Sequence, residues 1–192
     1  MLFRSLPTTG QCFAHSTQAA RAEYLGSIPN SNRALCLRGT SISQSLWNEI
    51  ANSPIFLGGR LHAPITLTGA EIEASIRMDG IAFDHYFQLN TAYIFNIIEF
   101  KNCEFQSNLS ATHSFFSNGA INCIRSTFNH DVDLSFSLAE NSSFGFQDCE
   151  FKRSLNLDGL TGAVSLRNSH VHGSISCKHG KASISDRKST RL

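Results

Sequence analysis

Charge is the first thing in short supply. Only 16% of the 192 residues are Asp, Glu, Lys or Arg, and the formal net charge is +1. Neither the basic patch of a nucleic-acid binder nor a membrane-seeking polybasic surface is implied. Long apolar runs are missing too. No stretch approaches the roughly 18 apolar residues of a membrane span, and the start, MLFRSLPTTGQCFAHS, has no continuous apolar core of a secretory leader. A soluble, cytoplasmic chain is expected. Four prolines, two methionines and one tryptophan stand against fifteen phenylalanines, and Phe, Ser and Asn together suggest short strands parted by polar corners. No 3.6-residue apolar period survives from residue 35 onward, which argues against a helical bundle. What is plentiful is apolar material, 41% of the chain, enough for the core of one domain.

The last residues, Asp186-Arg187-Lys188-Ser189-Thr190-Arg191-Leu192, read as the in-frame translation of a common sequencing-library adapter. The native sequence is therefore expected to run to about Ser185, stopping in mid-coil. From Leu35 onward one phrase recurs: two apolar residues separated by one, a small or apolar residue three on, and another apolar residue two later. Ile76, Met78, Ile81 and Phe83 spell it once, and Ile98, Phe100, Cys103 and Phe105 repeat it about 22 residues later. Ile121, Cys123, Ser126 and Phe128 follow at a slightly longer spacing, Phe144, Phe146, Cys149 and Phe151 at the same spacing again, and Val164, Leu166, Ser169 and Val171 at a shorter one. Upstream, Ile55, Leu57, Gly59 and Leu61, then Leu35, Leu37, Thr40 and Ile42, are read as two further registers. A second phrase lies halfway round, about 11 residues away, as in Ile65, Leu67, Ala70, Ile72 and Phe87, Leu89, Ala92, Ile94.

Such columns predict an all-β, single-stranded right-handed parallel β-helix, a solenoid of about seven coils in which like residues stack about 4.8 Å apart. Phe83, Phe105, Phe128 and Phe151 would form an aromatic ladder beside a narrower column of Ile81, Cys103, Ser126 and Cys149. Cys103-Glu104-Phe105-Gln106-Ser107 and Cys149-Glu150-Phe151-Lys152-Arg153 resemble the pentapeptide-repeat motif, as do Ser126-Thr127-Phe128-Asn129-His130 and Ala70-Glu71-Ile72-Glu73-Ala74. The resemblance covers residues 34–180 and departs from the strict coil of four pentapeptides, implying bulged corners. Leu37-Arg38-Gly39-Thr40-Ser41-Ile42 is also similar to bacterial repeat proteins labelled membrane-associated oxidoreductases. Residues 1–33 form a leader in which STQAARAEYL (16–25) predicts a short helix capping the solenoid. Residues 34–185 form the β-helix, and residues 186–192 are set aside. Ser45–Ala51 is open between a bulged coil and a helical turn, with Trp47 in the core.

Chemistry is harder to find. Cys103, Cys123, Cys149 and Cys177 fall on inward positions, Cys12 and Cys36 outside the pattern. Cys103 and Cys149 share a column two coils apart, about 9 to 10 Å, which no disulfide spans. No Cys-x-x-Cys occurs, and buried free thiols suit a reducing compartment. His170 and His172 flank inward Val171, and His85 and His130 share a corner column with Arg153. No three of them converge as a metal requires, so no metal or cofactor is expected. Outward Asp79, Asp84, Glu99, Glu104, Asp148 and Glu150 are interleaved with Arg77, Lys101, Arg125, Lys152 and Arg167. No Gly-x-Gly-x-x-Gly, P-loop or Gly-x-Ser-x-Gly occurs.

The expected function is thus a non-catalytic scaffold or protein-interaction module, with an unknown protein partner or self-association and no nucleic acid. The alternatives are a topoisomerase-binding DNA mimic of pentapeptide type, which would need an acidic stripe, and a carbohydrate-active β-helix enzyme, which would need a cleft. The candidate interaction face is outward Tyr93, Phe95, Phe115, Phe136 and Leu138, with Tyr93, Phe115, Phe136 and Leu138 read as one column. A bulge turning Phe115 or Phe136 inward is the competing reading.

Overall fold

The structure, a computed structural model, describes residues 13–29, 31 and 33–185. Cys12 and the 186–192 tail lie outside them. The strands pair in parallel throughout and wind into a β-solenoid of right-handed type with about six turns. Each turn has four sides. The first carries the seven-stranded sheet, from Leu35–Cys36 to Ile175–Ser176; the fourth carries the six-stranded sheet, from Arg60–Leu61 to His170–Val171. The second side holds Ser41–Ile42, Glu71–Ile72, Tyr93–Ile94 and Phe115–Ser117, and the third holds Ile76–Asp79, Ile97–Lys101 and Ala120–Ile124. Leu138–Gln147 runs round the corner between them and joins both into one ten-stranded sheet.

Strand alternation supplies the core. In Ile76–Asp79 the burial runs in, out, in, out, as the two-residue period of a strand demands. Because the coils stack in register, inward residues meet their own kind. The rings of Phe83, Phe105, Phe128 and Phe151 stack with centroids 4.3, 4.8 and 4.8 Å apart and planes within 15°. Phe100 and Phe146 meet that ladder edge-on, the arrangement the ring quadrupole favours.

Two sequence expectations need correction. The Leu35–Ile42 phrase is not in register with Ile55. Leu35 pairs with Ile65 and Ile42 with Ile72, so it begins the other half-turn. Leu57, read as inward, is 68% exposed on a 3-10 turn over Pro54–Gly59. The cause is an insertion: helix α1 (Gln44–Ala51) lies between Ile42 and Leu61 and lengthens that coil. Leu35 must reach Ile65 to find its partner, whereas the next coil needs only the shorter path from Ile65 to Phe87. Trp47 on this helix is buried, as expected.

Coil length varies in one half only. From side four to side two the path has one constant length: Leu61 to Ile72, Phe83 to Ile94, Phe105 to Phe116, Phe128 to Ala139. The return is uneven. From Ile72 to Phe83 it matches the outward path; from Phe116 to Phe128 it is one position longer, and from Gly162 to Val171 two positions shorter. From Ile42 to Leu61, where α1 intervenes, it is the longest of all. The bulged corner is visible as a register shift between Leu138 and Ser143.

Two other corners repeat one device, a left-handed residue followed in most coils by a small one. Gly69, Thr91, His113, Phe136, Gly159 and His179 stack as one left-handed column, and Gly80, Asn102, Arg125, Asp148 and Asn168 as another. Where the inward residue that follows is a serine, it ties its coil to the one before. Ser126 Oγ accepts from the Cys103 amide at 3.1 Å and donates to the Phe100 carbonyl at 3.2 Å. Ser137 does the same for Ser114 and Ala111, and Ser169 for Cys149 and Phe146. Cys149 Sγ donates to the Cys123 carbonyl at 3.3 Å. Among the described residues, no buried side-chain nitrogen or oxygen lacks a partner.

Upstream of the first coil lies a helix, Gln18–Ser27, whose N-cap Thr17 accepts from the Ala20 amide. Leu25 and the following Ile28 are buried in the common core. Arg21 of this helix donates twice to Glu49 of α1, both at 2.7 Å.

Candidate interaction face

The second side carries the expected apolar residues on its outer surface, and none of the five turns into the core. Tyr93 pairs in register with Phe115, and Phe115 with Leu138. These three form one outward column, since each flanks an inward residue: Ile94, Phe116 and Ala139. Tyr93 is 52% exposed and Leu138 is exposed, while Phe115 between them is half-buried, its ring 6.1 Å from that of Tyr93. Phe95, just past the end of the Tyr93–Ile94 strand, is exposed too.

Phe136 does not share this column. It occupies the left-handed turn leading into the second side, with φ of 55°, and that turn rotates it out of strand alternation. Its ring, 56% exposed, stacks on His113 one coil earlier with centroids 5.0 Å apart and planes at 19°. Gly159 follows in the same column, where a Cβ would collide with the Phe136 ring. His113 is thus a further member of the face. The signal was in the sequence: His113 and Phe136 each stand immediately before an inward serine, Ser114 and Ser137.

The column continues past the apolar residues in both directions. Glu71 precedes Tyr93, and beyond Leu138 come Thr161 and Lys181. Glu71 and Lys181 are exposed, and among the described residues neither belongs to an ion pair.

Several charged groups of the third and fourth sides are engaged with their neighbours. Arg60 donates twice to Asp84, at 2.9 and 2.8 Å. Hydrogen bonds from Gln147 and Asn168 hold the Asp148 carboxyl below its ordinary range. Lys152 and His172 do the same for Glu150. The His170 and His172 rings lie 4.3 Å apart. Among the described residues, no three His, Cys, Asp or Glu side chains are grouped to hold a metal. Burial pushes the Cys103 and Cys149 thiols up to about 11 and raises Cys123 well above its ordinary value. Cys177, expected inward, follows the inward column of Leu157 but is exposed.

Two clefts flank α1. One, of about 160 Å³, lies between Trp47, Phe56, Met78 and Ile81; the other, about 230 Å³, between Leu25, Glu49 and Pro54. No helix among the described residues is long and apolar enough to cross a membrane. No protein-family model, curated protein or solved structure matches the chain.

Proposed function

We propose that this chain is a non-catalytic scaffold of pentapeptide-repeat-like, right-handed β-helix type that engages a protein through its second side. In this reading the solenoid counts about seven coils, and the segment through Ser27 caps its first. The single observation that carries it is segregation. Tyr93, Phe95, Phe115, Phe136 and Leu138 stand outward on one side, whereas sides three and four present charged residues, among them the pairs Arg60–Asp84, Lys101–Asp79 and Lys152–Glu150. A contiguous exposed apolar patch on a folded surface marks an interface more often than it serves stability, and rigid aromatic side chains lose little entropy when a partner covers them.

A Tyr93→Ser, Phe115→Ser, Leu138→Ser triple variant tests it. Loss of self-association, or of a bound protein partner, supports the reading. A triple variant with unchanged oligomeric state and unchanged partners overturns it.

A further inference from the structure

We infer that the occupant of the second side is a second copy of this chain, lying antiparallel. This rests on the interaction reading above and adds the partner and its orientation. The outward column starts at Ser41 in the first coil, and from the next coil on it reads Glu71, Tyr93, Phe115, Leu138, Thr161, Lys181, one residue per coil. Its order is self-complementary: an acid, a hydroxyl and an apolar residue, then an apolar residue, a hydroxyl and a base. A twofold axis between Phe115 and Leu138, parallel to the strands, lays the column on itself in reverse. Phe115 then meets Leu138 of the second copy, Tyr93 meets Thr161, and Glu71 meets Lys181, each contact occurring twice as an isologous interface requires.

The neighbouring turn column obeys the same axis. His113 falls opposite Phe136 of the second copy, and Thr91 opposite Gly159, over which the Phe136 ring lies. The opposite orientation, with both solenoids running the same way, would set Glu71 on Glu71 and Lys181 on Lys181. Charge therefore selects the antiparallel arrangement.

Size sets the strength. Six paired strands about 4.8 Å apart make a face about 24 Å long, and five residues at about 3.3 Å make it about 16 Å wide. Pairing two such faces buries about 800 Å² in all, below the range of stable specific interfaces, so the dimer is weak, reversible and concentration-dependent.

Sedimentation velocity on the whole chain, with Glu71→Lys, Lys181→Glu and the double variant, tests the inference. Both residues are exposed, so the variants fold, which circular dichroism checks. The unaltered chain is expected to dimerise. Each single variant weakens the dimer about fivefold or more, since two ion pairs become two repulsions, and the double variant restores it. A chain that stays monomeric, single variants that associate as before, or a double variant as weak as the singles overturns the inference. The two readings fail separately. If the serine triple variant loses a heterologous partner while the unaltered chain is monomeric, the interaction face stands and self-pairing falls.

Discussion

Phe136 holds φ at 55°, a conformation that costs a bulky L-residue about 1 to 2 kcal/mol. Elsewhere Asn102, Asn118, Asn141 and Asn168 occupy that conformation, where a short polar side chain is tolerated. A Phe136→Asn variant is therefore expected to match or exceed the parent in stability, by up to about 1 kcal/mol, in urea unfolding, while its self-association weakens. The Phe ladder lies at the other extreme. Phe105 and Phe128 are fully enclosed, and truncating either to Ala should cost about 3 to 5 kcal/mol by the same measurement. The ladder was legible in the sequence because a residue in a strand faces in or out by parity alone. Phe136 was misplaced for the same reason: a left-handed residue resets parity, and the mark of that conformation lies in the inward serine that follows and not in the phenylalanine itself.

The coil-to-coil bridges belong to the scale of the element. The hydroxyls of Ser126, Ser137 and Ser169 each serve an amide and a carbonyl of the preceding coil, so removing one strands both. Ser137→Ala is expected to cost about 1 to 3 kcal/mol, whereas Ser142→Ala, at a less buried hydroxyl, should cost under about 0.5 kcal/mol. Thiols take the same position at 103 and 149, and they are donors only while protonated. Their folded value of about 11 lies above the ordinary 9.0, so between those values the unfolded chain binds fewer protons than the folded one. Stability is thus fully kept below pH 9 and falls as the pH rises toward 11, which urea midpoints measured across that range would register. At about pH 8, thiol reagents should modify Cys36 and Cys177 and spare Cys103, Cys123 and Cys149 until the chain unfolds. The half-coil period was plain in the sequence, since side chains alternating in a stacked column leave a direct trace. The Leu35 register was not. A short helix between Ile42 and Leu61 happened to leave Ile55 one apparent coil from Leu35, and spacing alone cannot tell a helix from a side.

For the whole molecule, the division between an invariant half-turn and a variable one decides what the solenoid can carry. The apolar column stands in the half where every path has the same length, so its successive side chains fall one above another. Which residues are outward on that half could be read from the sequence. What covers them could not, since a partner leaves its mark in two surfaces and only one is written here. The other half already tolerates a helix in one coil and a single extra position in others. A short insertion of about four residues after Asn118 should therefore cost under about 1 kcal/mol, while the same insertion after Thr112 should cost several kcal/mol by breaking register; thermal melts of the two compare them. One edge of this protein is in effect a ruler and the other a shelf. A foreign peptide, epitope or small domain grafted onto the corner between sides two and three would be displayed at a fixed height along the stack, spaced from its neighbour by whole multiples of a single coil.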